Sequence, residues 1–530
     1  MKLKKIILPF LILPLAVTAC NDFLDVVPDS RTDLDTPDKI AKLLASAYPD
    51  RSYILLTEMA SDNTDSWNIL TLQSMNKTQE DMWSWTDVVE DMGNDSPEQF
   101  WSASYSAISA ANLALEAIEK LGNPESLNPQ IGEALVARAY NHFCLVNVFA
   151  KHYSTKTGKT DLGIPYVTKS ENTVDVDLQR QSVAEVYALI EKDLLKGMPL
   201  IDNTVYVVPK YHFNLKAAQA FAARYYLYKG DWDKVIEYTT KVLGEDPRAM
   251  LRDWSPFPGL PSGQPRAQLY AQMEHNANIF ISCPISAVYS LGNYSTGKKF
   301  SHSQLIALAE TTKSAVPWCP KSSSTGEYYF PENFYKNPAS NYVGSSGRFV
   351  ATMKHPYYFQ YTDPIARTGY AHTQIVIYSS EELLLARAEA YVMKGDYDKA
   401  LNDLNLWITT TSTGTSISRE LVNEYYSTQK EYVFDDPTPR KKLSPETPFA
   451  SAEQENFIQC VLQMRRIETI HDGIRWFDIK RYGIEIVRRV LDDNNRPTLL
   501  DNLKVDDPRR AIQLPSAVIN AGLLPNPRVF

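Results

Sequence analysis

The sequence predicts a mainly α-helical protein: a scaffold of paired helices holding out an irregular, loop-rich region with a few short strands. Two observations predict the scaffold and a third predicts the loops. Phe100, Trp101, Tyr105, Ile108, Leu113, Leu115 and Ile118 recur at intervals that place apolar side chains on one face of a helix. A helix–turn–helix signature occurs twice, at residues 222–234 and 387–399. Residues 51–95 and 245–375 instead are rich in Pro, Gly, Ser, Asn and aromatics and sustain no helical period.

Taken in order, Thr36-Pro37 reads as a helix start with proline at the first helical position, and Leu43, Leu44, Ala47 and Tyr48 supply its apolar face. Ser96-Pro97-Glu98 opens the long periodic helix, and Gly122-Asn123-Pro124 stops it. A second helix is expected from about Gln130 to Ala150, antiparallel to the first because the connection is short. The repeated signature is Lys229-Gly230-Asp231-Trp232-Asp233-Lys234 against Lys394-Gly395-Asp396-Tyr397-Asp398-Lys399. Gly ends one helix at positive φ and Asp caps the next. Each unit resembles a tetratricopeptide helix pair, which cannot bury its face alone and must stack on others. Residues 97–150 and 456–485 are candidates for further units. Residues 279–284 and 374–378 read as short strands, and 436–450 as an exposed Pro-rich loop.

The N-terminus speaks to compartment. Lys2, Lys4 and Lys5 precede an apolar run from Ile6 to Val17, too short to span a bilayer and typical of a secretory signal. Val17-Thr18-Ala19-Cys20 resembles a lipobox, which makes residues 1–19 a signal peptide, Cys20 the acylated first residue and 20–35 a tether to the main body at 36–530. More than one acyl chain is needed for a firm anchor. Formal net charge is -9, and loss of three lysines makes the mature chain more acidic still. That balance argues against nucleic acid, whose phosphates need a basic face. The remaining cysteines form no CxxC pair. Cys144 and Cys460 sit among apolar neighbours and read as buried free thiols; Cys283 and Cys319 stay open.

With these elements in place, the chain resembles the SusD/RagB family of outer-membrane nutrient-binding lipoproteins. The likeness is carried by Cys20-Asn21-Asp22-Phe23-Leu24-Asp25, Phe100-Trp101 through Asn112, Arg138-Ala139-Tyr140-Asn141-His142-Phe143 and Gly163-Ile164-Pro165-Tyr166-Val167. It continues through Ser182 to Tyr187, Arg465-Arg466-Ile467-Glu468, Asp472 to Gly483, Ile512 to Ser516 and Asn526-Pro527. Met464 and His471-Asp472 depart from the family pattern at scaffold positions. The resemblance implies one domain over 36–530. Its helical scaffold spans about 97–245 and 375–485, and its binding region about 51–95 and 245–375. It also implies a lipid-anchored place at the cell surface, a TonB-dependent SusC-like transporter as partner, a glycan or other nutrient as ligand, and no catalysis or cofactor.

Sugars present C–H faces and hydroxyl rims, so a site for them needs flat aromatics beside polar side chains, usually on loops. Two stretches fit: Trp67 and Asn68 followed by Trp83, and Tyr289, Asn293, Tyr294, Trp318, Tyr328 and Tyr329. These aromatics lack helical spacing and are expected to be displayed. Trp101, Trp232, Trp407 and Trp476 fall on helical faces and read as core; Trp85 and Trp254 lean the same way. His142 reads as structural. Arg465, Arg466, Arg475 and Lys480 read as a solvated or interhelical network with Glu468 and Asp478. No HExxH, GxSxG, P-loop or GxGxxG occurs, and no metal-ligand spacing. Peptide capture, a surface glycoside hydrolase and a ligand-free lid are the competing readings.

Overall fold

The computed structural model describes residues 34–528, apart from 70–71, 73–75, 90–92, 171–178, 262, 292–298, 337–341 and 344–348. The signal peptide, Cys20 and most of the tether lie outside the described residues. Among those described, no helix is long and apolar enough to cross a membrane.

The helices form where the sequence signals place them. Thr36 caps Pro37–Leu44 and Ser96 caps Pro97–Lys120, both with proline in the first turn. Pro97–Lys120 packs against Asn128–Phe149, which packs in turn against Val183–Gly197. The repeated signature gives two further pairs, Leu215–Lys229 with Trp232–Leu243 and Ser380–Met393 with Tyr397–Thr411. At their turns Gly230 and Gly395 take φ of +79° and +77°, and the Asp231 and Asp396 carboxylates accept from the amides of Lys234 and Lys399. Although far apart in sequence, the two pairs stack directly, Ser380–Met393 on Trp232–Leu243. Lys394 of one turn pairs with Asp233 of the other at 2.8 Å. The expected pair over 456–485 is corrected: Ala452–Glu468 packs between Ser380–Met393 and Arg419–Thr428, and the short Arg475–Arg481 helix packs on Ile54–Ala60 instead.

The two expected strands form as Asn278–Ser282 and Ile375–Ser379, an antiparallel pair. The segment 51–95 departs from its loop reading. It contains the helices Ile54–Ala60 and Lys77–Trp83, and its strand Asp65–Trp67 lies inside a four-stranded sheet between Ile486–Leu491 and Phe300–Ser301. Residues 436–450 form an irregular surface loop as expected, except that Lys441 turns inward. Cys144, Cys319 and Cys460 are buried free thiols; Cys283 is free and exposed.

The basic cluster near the C-terminus takes the interhelical form of the expected network, with Asp478 as a partner, and it is buried. Arg465 lies 3.1 Å from Asp478, and Arg481 bridges Asp478 and Glu389 at 2.6 Å each. Arg475 pairs with Asp62 at 2.8 Å. Arg466 and Lys441 both reach Glu310 at 2.7 Å, and Arg489 joins Glu310 to Asp65. Lys480 donates to the carbonyls of Asn147 and Ala150, capping the end of Asn128–Phe149. Glu468, expected as a charge partner, accepts from the Trp407 indole. The network ties the C-terminal helices, the four-stranded sheet and residues 58–65 into one rigid support, because a buried charge is tolerated only when paired and hydrogen-bonded.

Candidate ligand-binding site

Three of the tryptophans expected on display are core residues. Trp67 is 2% exposed at the centre of the four-stranded sheet, its indole N–H donating to Ser301 Oγ at 3.1 Å. Trp83 packs under the Arg488 guanidinium, 5.0 Å from its ring centroid, and donates to the Thr64 carbonyl. Trp318 is fully buried, edge-on to Trp407 at 6.2 Å. In this fold none can offer a face to a ligand. The physical reason is long-range pairing: Asp65 aligns with Ser301 and Ser66 with Val490, which turns a polar, loop-like stretch into an interior strand. Asn68, one residue beyond, remains exposed. Asn293 and Tyr294 lie outside the described residues. Trp85, Trp101, Trp254, Trp407 and Trp476 are buried as expected, and Trp232 is half-buried.

His142 is also structural. Its Nδ1 faces the Arg138 carbonyl at 2.8 Å, its Nε2 accepts from the Val167 amide, and its ring stacks on Tyr166. Burial brings its pKa down to about 3. Asp472 pairs with Lys354 at 2.9 Å, and the His471 amide donates to Glu58. Neither residue is presented to solvent as a catalytic pair.

Tyr289 has a different setting. Its ring lies 4.6 Å from that of Tyr357, at the base of a β-hairpin formed by Tyr357–Asp363 and Thr368–Thr373. Strand alternation puts Tyr357, Phe359 and Tyr361 on one hairpin face. Opposite them stand Thr373, Ala371 and Gly369, small residues that leave the rings uncovered. A Cβ at Gly369 would collide with the Gln360 carbonyl, so this close approach needs glycine. Tyr361 is 55% exposed, Tyr357 37% and Phe359 36%. Phe359 and Tyr361 meet edge to face at 4.8 Å. Four rings thus form one ledge. The other face carries Tyr358, Gln360, Tyr370 and His372.

An isolated two-stranded hairpin is marginal in water, so the base must be held. Gln264 grips Tyr357 through both its amide and its carbonyl. The Ser286 amide donates to Ala371 O, the Thr373 amide to Pro284 O, and His372 bonds both the Cys283 carbonyl and Gln360. At the tip, Asp363 accepts from the amides of Ile365 and Ala366, leaving Ile365 almost fully exposed. Asp95 accepts from the Ser286 hydroxyl and the Ala287 amide, fixing the turn that presents Tyr289. Burial raises the Asp95 carboxyl to about 6 against those two hydrogen bonds. Its contribution to stability is therefore complete below its ordinary 3.8 and fades as pH rises through about 6.

Tyr328 and Tyr329 sit elsewhere, after a turn at Gly326. Tyr328 is half-buried against Tyr425 with Lys321 over its ring, while Tyr329 is 49% exposed. The structure thus brings Tyr289 to the ledge and leaves Tyr329 on a separate surface. Sequence reasoning missed Tyr357, Phe359 and Tyr361. The signal for them was present: aromatics at alternating positions, then an Asp363-Pro364 turn and a second strand with Gly369 and Ala371 in register.

The comparisons with known proteins point one way. A family described as "Starch-binding associating with outer membrane" matches residues 22–227, and the SusD family matches residues 292–513. A SusD-like protein of Formosa agariphila is 23% identical over 407 residues, covering 72% of this chain and 71% of that one. A SusD superfamily structure from Bacteroides thetaiotaomicron shares the fold with a TM-score of 0.62 at 18% identity, covering 93% of this chain and 99% of that one. A SusD-like carbohydrate binding protein from Bacteroides vulgatus does so with a TM-score of 0.57 at 17% identity, over 92% and 97%. With both halves matched separately and the helical architecture shared throughout, the chain belongs to the SusD family.

Proposed function

We propose that this protein captures a glycan at the outer cell surface and passes it, chemically unchanged, to a TonB-dependent SusC-like transporter. The observation that carries this reading is the uncovered aromatic ledge of Tyr289, Tyr357, Phe359 and Tyr361 on a braced hairpin. Exposed aromatic clusters are costly in water and mark interaction sites. Rings on alternate residues of a strand share one face, which offers a sugar chain several apolar contacts side by side. The relative from Bacteroides vulgatus described as carbohydrate binding, and the family described as starch-binding and outer-membrane-associated, support the same reading. Membership of the family supports the transporter partner, and the lipobox supports the lipid anchor at Cys20.

The test is a glycan array with purified residues 21–530, followed by calorimetry on the best ligand. Tyr357→Ala and Tyr361→Ala are each expected to weaken binding about tenfold, the worth of one lost stacking contact of roughly 1.4 kcal/mol. Their exposed positions should leave the melting temperature nearly unchanged. Undiminished affinity in a variant carrying both Tyr357→Ala and Tyr361→Ala would refute the ledge as the site, and turnover of the sugar would refute capture without chemistry.

A further inference from the structure

A second feature lies apart from the four rings of the ledge. Residues 252–258, the helix Gln264–Ala271, residues 333–336 and the end of Tyr397–Thr411 enclose an open cleft of about 1010 Å³. That is large enough for a saccharide of several units. Its walls carry three cations, Arg252, Arg266 and Lys336, against one acid, Asp253. The Asp253 carboxylate is already engaged by the amide and hydroxyl of Ser255. The cations are held by neutral groups. Arg252, 2% exposed, donates to the Tyr270 carbonyl and Asn278 Oδ1, with its guanidinium 3.8 Å from the Tyr270 ring. Arg266 donates to the Leu260 carbonyl and Lys336 to that of Thr409. Among the described residues none of the three has a carboxylate within salt-bridge distance.

This is unusual for an acidic chain whose other buried arginines mostly face carboxylates. Two further donors add to it. Arg252 Nε and the indole N–H of Trp254, itself 5% exposed and part of the cleft wall, have no hydrogen-bond partner among the described residues. Buried donors are seldom left unmade without a reason. Guanidinium groups match planar and tetrahedral oxyanions well, and such charge-assisted bonds are the strong ones.

We propose that this cleft binds the anionic group of an acidic saccharide, the uronate carboxylate or sulfate of a charged glycan, as a subsite separate from the aromatic ledge. The inference rests on the capture reading and deepens it by assigning a ligand class. Arg266 and Lys336 make the accessible contacts; Arg252 and Trp254 lie buried in the wall behind them and keep it positive and unpaired.

Calorimetry on residues 21–530 with oligogalacturonate, a sulfated galacto-oligosaccharide and neutral maltopentaose tests it at 50 and 500 mM NaCl. At low salt an acidic probe is expected to bind at least tenfold more tightly than the neutral one. That preference should shrink at high salt, as screening of partly exposed charges requires. The Arg266→Gln/Lys336→Gln double variant should lose at least tenfold for the acidic probe while keeping its melting temperature. Equal affinity for acidic and neutral probes, or undiminished acidic binding in the double variant, would overturn the cleft assignment and leave the ledge standing. Failure of every glycan on a broad array would overturn both.

Discussion

Glu310→Ala is expected to destabilise the protein by about 3–5 kcal/mol, the cost of removing one partner from a buried ionic network. One oxygen of Glu310 takes Lys441 and Arg466 at 2.7 Å, and the other takes Arg489 at 3.0 Å. All three cations are buried, so its loss strands positive charge where water cannot solvate it. Asp62 and Asp65 lie in the same cluster and compensate only in part, since Arg475 and Arg489 already claim them. Denaturant melts of the variant and wild type read the difference. A change below about 1 kcal/mol would place this cluster with ordinary surface ion pairs instead. The same cluster sets an acid limit. Burial alone would raise the Glu310 carboxyl, but Lys441, Arg466 and Arg489 outweigh it and hold it at about 2. The folded value lies below the ordinary 4.5, so its stabilisation is whole above that value and is lost as pH falls through about 2. Thermal melts at pH 7, 4.5 and 3 should show the decline beginning only below the second of these, with the wild type more acid-sensitive than the variant.

Trp318→Ala is the second large effect, with an expected loss of about 3–5 kcal/mol from an unfilled core cavity. Trp318 is fully buried against Trp407, and its carbonyl accepts from the Thr415 amide. Its truncation should unpack the floor beneath residues 320–336. Glycan affinity at the ledge should survive at temperatures where the variant is folded. An unchanged melting temperature with lost binding is the result that would return Trp318 to the ligand. The contrast with Tyr361→Ala, which should spare stability and cost affinity, separates core aromatics from displayed ones in a single pair of experiments.

The helical scaffold was legible because its signals are local. Ser96 and Pro97 start a helix, Gly230 and Gly395 end one, and apolar spacing marks the buried face; each depends on residues within one or two turns. The repeated Lys-Gly-Asp turn also declared that pairs must stack. Which helix met which was less legible, and the partner of Ala452–Glu468 was misread because nothing local distinguishes Arg419–Thr428 from Arg475–Arg481 as its neighbour.

Of the proposed binding ledge, only Tyr289 was legible. Its partners Tyr357, Phe359 and Tyr361 were overlooked because exposure was judged from polar neighbours instead of from strand alternation. Trp67 and Trp318 were misplaced for the same reason in reverse. By itself the sequence determined the two repeated helix pairs, the helix caps and the family. Only the tertiary structure decided which aromatics face water and which charges meet. Asp65 pairs with Ser301, Ser66 with Val490 and Arg466 with Glu310, contacts between segments far apart in the chain. Such contacts are set by the global packing that excludes water, and no local pattern encodes them.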